Sequence, residues 1–133
     1  MSDYVADTHS LIWYLTSDAR LGNEARKIFA AGGQGTSLIF VPTISLVEIV
    51  YLQEKHKSPA TIFAQFQQAM NAQSAGLRLF ALTREVVTAL SRIPRQSIPD
   101  MPDRIIAATA LHLNVPLISR DRRIQLSTIT SVW

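Results

Sequence analysis

Short apolar runs alternate with helix-patterned segments along nearly the whole chain, and this alternation restricts the fold more than any other feature. Tyr4 to Ala6 reads as a first strand, followed by helices over Ser10 to Leu15 and Asn23 to Ala31, joined by a polar turn around Ser17 to Gly22. Gly32-Gly33-Gln34-Gly35 is a stop; it resembles neither a dinucleotide fingerprint nor a P-loop, because no lysine-serine pair follows and the preceding segment is helical. Leu38 to Val41 is a buried-type strand ended by Pro42, and Ile44 to Glu54 is a helix apolar nearly all round. Pro59 restarts a helix to about Gln73. A strand at Leu77 to Leu82, a helix at Arg84 to Arg92, a proline-broken loop from Ile93 to Pro102, a helix from Asp103 to Leu113 and a strand at Val115 to Ser119 follow, with a short last strand ending at Trp133. Strands alternating with helices predict an α/β fold with a mostly parallel sheet covered on both faces. Such sheets bind ligands at the carboxyl ends of their strands.

At 133 residues and 47% apolar content, the chain reads as one domain, residues 1–133, with its own core. Cysteine is absent, which removes disulfides, zinc-thiolate sites and cysteine nucleophiles together. The first residues lack the basic start and apolar run of a signal peptide, and no stretch approaches the ~18 uninterrupted apolar residues of a membrane span. The expectation is a soluble, cytoplasmic protein with no membrane partner.

Four carboxylates stand where apolar stretches give way to polar ones: Asp7, Glu48, Asp103 and Asp121. Each has a local reading. Asp7 can cap the helix that follows it, Asp121 can be a turn residue, Ser45 with Glu48 fits a capping box, and Asp100 can cap the helix of Asp103. The joint placement argues for more. Ser45 and Glu48 share a polar stripe on an otherwise apolar helix, and Ile105, Ile106, Ala107 and Ala108 mark the helix of Asp103 as core. Four acids gathered in a part-buried cleft cost several kcal/mol per uncompensated ion, so their convergence would imply a bound divalent cation, and with it phosphate chemistry.

The 13 basic and 10 acidic residues look nearly balanced, but with four acids engaged elsewhere the remainder is strongly basic. Arg92, Arg95, Arg104, Arg120, Arg122 and Arg123 fall around the third and fourth acids, as a polyanion groove needs, although a solvated surface would look the same. His9, His56 and His112 form no metal-ligand spacing and are assigned no role. Trp13 and Trp133 read as core or rim aromatics. Ile62, Phe63, Phe66 and Met70 make an apolar stripe that suits either the protein's own core or an interface.

Taken in order, Asp7-Thr8-His9-Ser10-Leu11-Ile12-Trp13, Ser45-x-x-Glu48, Asp100-Met101-Pro102-Asp103-Arg104-Ile105-Ile106-Ala107-Ala108 and Ile118-Ser119-Arg120-Asp121 resemble a PIN-domain ribonuclease over the whole chain. Within that family the chain is most similar to VapC-type toxins of type II toxin-antitoxin (VapBC) systems. One departure lies in the loop before Asp103, where the family's usual histidine is missing and the proline has moved, which bears on substrate contacts rather than metal ligands. The resemblance implies a PIN-like three-layer α/β/α fold and an Mg2+-dependent endoribonuclease, with Mn2+ as an alternative ion, that leaves a 5′ phosphate and a 3′ hydroxyl. It implies a homodimer and a cognate VapB-type antitoxin. Asp7 and Asp103 are the expected primary metal ligands, with Glu48 and Asp121 completing the acidic pocket directly or through water. Thr8, Ser45 and Ser119 lie beside the acids as substrate contacts or local caps, and Arg104 and Arg122, with Arg120 and Arg123, are expected to meet phosphates. Two alternatives stay open: a catalytically silent PIN-like module that binds RNA or protein, and a PIN nuclease that is not a toxin.

Overall fold

The structure is a computed structural model that describes residues 2–72 and 76–133. Five strands, β1 (Ser2–Ala6), β2 (Ser37–Pro42), β3 (Leu77–Phe80), β4 (Leu117–Ile118) and β5 (Ser131–Val132), form one sheet in the order β3-β2-β1-β4-β5, and every pairing is parallel. Seven helices connect them among the described residues: α1 (Thr8–Leu15), α2 (Asn23–Gly33), α3 (Thr43–Glu54), α4 (Ile62–Asn71), α5 (Arg84–Ser91), α6 (Met101–Leu113) and α7 (Arg122–Gln125).

Alternation along the strands divides the apolar residues between two cores. Tyr4, Ala6, Ile39, Val41, Leu77 and Ile118 pack under α1, α2, α3 and α4, with Leu11, Phe29, Ile49, Ile62 and Phe66 as the buried helical partners. Val5, Phe40, Phe80 and Leu117 face the other way, onto Val86 and Ala89 of α5, Ile106 and Ala110 of α6 and Ile124 of α7. The result is the three-layer α/β/α arrangement, with helices covering both faces of the sheet. β1 lies at its centre, where the chain order turns from one direction to the other, so the crevice beyond the carboxyl ends of β1 and β4 is the natural ligand site.

Side-chain caps set four helix starts, supplying acceptors for backbone donors that a first turn leaves free. Asp7 accepts from Ser10 N–H, Thr83 from Val86 N–H, Asp100 from Asp103 N–H, and Asp121 from Arg123 and Ile124 N–H. α6 therefore begins two residues before the expected Asp103, with Pro102 in its first turn, where a missing N–H costs nothing. α7 is the one helix the sequence did not announce; it is a single turn nucleated by Asp121. α4 begins at Ile62 rather than Pro59, because the Pro59 carbonyl first closes a turn with Ile62 N–H. The expected far end of that helix, Gln73, lies outside the described residues. β3 stops at Phe80, two residues short of Leu82.

The stripe on α4 closes the protein's own core: Ile62 and Phe66 are fully buried, with Phe63 and Met70 packed beside them, so it is not a free interface. Phe66→Ala empties a volume that the surrounding helices cannot refill and is expected to cost ~3–5 kcal/mol, measured by urea unfolding.

Candidate acidic site

Four chain segments deliver carboxylates to one cleft of about 670 Å³ at the carboxyl edge of the sheet. Asp7 follows β1 directly, Glu48 comes from the second turn of α3, Asp103 from the first turn of α6, and Asp121 from the loop after β4. All four line the cleft, as does Asp100.

Three of the four are tethered. Asp7 is almost fully buried, accepts from Ser10 N–H at 2.9 Å and is hydrogen-bonded by the Ser119 hydroxyl. Glu48 accepts from the hydroxyl of Thr8, which also contacts Ser45 Oγ at 3.2 Å. Asp121 is held by the amide donors of α7, and its own N–H donates to Ser119 Oγ at 3.0 Å. The capping-box reading of Ser45 and Glu48 is not realised, because α3 starts at Thr43 and Glu48 turns toward α1 instead. The capping readings of Asp7 and Asp100 are realised, and Asp121 also caps a helix; these roles coexist with a place in the cleft.

Asp103 accepts no hydrogen bond within the protein among the described residues, and its surroundings push its carboxyl up to about 7. Burial is the largest cause, followed by the negative charges of Asp100, Asp121, Glu48 and Asp7. Burial likewise raises Asp7, against the hydrogen bonds of Ser119 and Ser10, and raises Glu48 against that of Thr8. The cleft thus concentrates more negative charge than its own donors offset.

Among the described residues, no three His, Asp or Glu side chains stand close enough to enclose one ion as they are. A hard cation that keeps several waters and takes one or two carboxylates directly still suits an all-oxygen donor set in which burial and neighbouring acids raise Asp103, because a bound cation would favour its ionised form. Asp7, Glu48, Asp103 and Asp121 fit such an ion on chemistry and convergence rather than as a finished cage.

The expected substrate contacts separate into two groups. Thr8 lines the cleft, whereas Ser45 and Ser119 are fully buried behind the acids and position them. Arg104 turns away: its guanidinium donates to the carbonyls of Leu90 and Ile93 at 2.8–3.2 Å, neutralising the C-terminal end of α5, so it is not available to a phosphate in the cleft. Arg122 is exposed outside the cleft lining. Arg120 and Arg123 line it, and so do residues that the sequence reading left without a role: His9, Trp13, Arg20 and Trp133. His9 and Trp13 are four apart on α1, one helical face below Asp7, with rings 5.6 Å apart, and that spacing was the available signal.

A family model described as PIN domain matches residues 4–127. A comparison with curated proteins finds no match. Among solved structures, the chain is similar to VapBC2 from Rickettsia felis bound to a promoter DNA fragment, at 14% identity and a TM-score of 0.69, covering 98% of this chain and 97% of that one. It is also similar to a toxin-antitoxin complex from Klebsiella pneumoniae, at 23% identity and a TM-score of 0.66, covering 98% and 96%. At these identities the likeness is one of fold.

The raised carboxyls make a signed prediction. An acid whose folded value lies above its unfolded one binds more protons in the native state, so metal-free stability should fall as pH rises from about 4 through about 7. Asp103→Asn removes one of these contributors. At pH 7.5 without metal it should stabilise the protein by ~1 kcal/mol after solvent screening, with no gain at pH 4, as read by thermal unfolding across pH.

Proposed function

Because the chain belongs to the PIN-domain family, we propose that it is an Mg2+-dependent endoribonuclease that hydrolyses RNA phosphodiester bonds as the toxin of a VapBC-type pair. The observation that carries the reading is the arrival of Asp7, Glu48, Asp103 and Asp121 from four separate segments in a single cleft at the turning point of a parallel sheet.

In this reading Asp7 and Asp103 would be the primary ligands of the cation, with Glu48 and Asp121 completing the acidic pocket directly or through water. An Mg2+ or Mn2+ ion held by these acids would supply polarisation of the phosphate and activation of a water at neutral pH. The protein's own contribution is placement. Ser10, Ser119 and the α1 amide position Asp7, Thr8 positions Glu48, and the first turn of α7 positions Asp121, which leaves Asp103 as the acid without a tether among the described residues. The likeness to two toxin-antitoxin complexes supports a VapB-type antitoxin as partner. A homodimer and a cytoplasmic location belong to the same reading; no helix among the described residues is long and apolar enough to cross a membrane.

The test is cleavage of a total cellular RNA pool by purified protein. Cleavage should require Mg2+ or Mn2+, stop with EDTA and resume when the metal is restored in excess. It should fall by ~100-fold or more in Asp103→Asn, which needs no fold change, and be abolished by the cognate antitoxin. Intact RNA under all these conditions favours a silent binding module, and undiminished cleavage by Asp103→Asn removes the acidic cleft as the centre of the activity.

A further inference from the structure

The cleft carries charge of both signs and keeps them apart. Five carboxylates and three arginines line it, yet among the described residues the ion pairs are Asp18–Arg20 and Glu24–Lys27, and none crosses between the acids of the cleft and its arginines. Walls of opposite sign that do not pair with each other leave local potentials that attract ligand groups of the opposite charge.

The arginine wall is organised around Trp13. Its ring is nearly buried, meets Trp133 edge-on at 5.7 Å, and lies 4.7 Å from the guanidinium of Arg20 and 4.5 Å from that of Arg120. The two arginines differ. Arg20 spends its donors on Asp18, through Nε at 3.1 Å and Nη2 at 2.8 Å. Arg120 is exposed and has no hydrogen bond or ion pair among the described residues. Stacking engages the face of a guanidinium and leaves its in-plane N–H groups free, and those are the donors that grip a phosphate with two bonds at once. Trp13 itself, already covered by guanidinium groups, is a support rather than a platform for a base.

Position ties this wall to the acids. Trp13 rides on α1, the helix that Asp7 caps, and Arg120 immediately precedes Asp121. We propose that Arg120, braced on Trp13, clamps a backbone phosphate beside the scissile one and so fixes the register of a single-stranded RNA across the acidic site. The proposal rests on the nuclease reading for the identity of its ligand, but its test does not need cleavage.

The measurement is anisotropy of a 5′-labelled single-stranded RNA 10-mer bound to Asp103→Asn protein in Mg2+ at several salt concentrations. Adding Arg120→Ala should weaken binding about ten-fold and lower the salt slope by about 0.7, the share of one phosphate contact on a single strand. Arg84→Ala, which removes the same charge from the start of α5, should change affinity less than two-fold. Replacing one phosphate at a time by neutral methylphosphonate should reveal a linkage that weakens binding when Arg120 is present and not when it is alanine. Trp13→Leu should reproduce part of the loss and Trp13→Phe should restore it. The proposal is overturned if Arg120→Ala matches Arg84→Ala, if the methylphosphonate penalty survives intact in Arg120→Ala, or if Arg120→Ala weakens only antitoxin binding. Normal clamp behaviour with no cleavage by the wild-type protein would instead reject the nuclease reading and leave the clamp standing.

Discussion

Partial burial of several carboxylates in one cleft is the constraint on which the acidic site depends, and the charges of neighbouring acids add to it at Asp103 and Glu48. At Asp103 burial and four neighbouring acids act in the same direction, and no hydrogen-bond donor among the described residues offsets them. The other three are held by hydroxyls and helix amides, which offset part of the cost while fixing each oxygen in place. Removing a tether such as Ser119 would therefore act on two acids at once, since that hydroxyl lies between Asp7 and the Asp121 amide.

The sheet topology provides the place where these acids converge. With β1 between β2 and β4, the connections leaving neighbouring strands diverge to opposite faces and open a gap at the carboxyl edge. Two independent apolar cores, one under each layer of helices, resist the repulsion. Conformational entropy cancels most of the gain from that burial, so the cost of a few crowded acids is drawn from a net stability of only about 5–15 kcal/mol.

The mostly parallel sheet, the order of its six longer helices and the four acid-bearing segments were legible in the sequence, because short apolar runs, period-3.6 patterns and the segments of Asp7, Glu48, Asp103 and Asp121 are local signals. Direction was not legible. Arg104 sits beside Asp103 in sequence, yet successive residues on a helix point about 100° apart, so its side chain went to the end of α5 rather than into the cleft. Ser45 and Glu48 matched a local cap but found their partner in Thr8, a pairing 40 residues distant that no spacing rule encodes. Arg20 escaped notice because its place in the cleft depends on packing against Trp13 rather than on any motif. The α7 turn was hidden for a simpler reason: four residues carry too little periodicity to be read.

Both tryptophans of the chain meet at the lip of the cleft, edge to face and beside two cations. All indole emission from the protein therefore originates within a few ångströms of where a ligand would dock, and none of it comes from a distant background site. The molecule carries its own optical probe, so occupancy of the groove can be followed by ultraviolet fluorescence on unlabelled material.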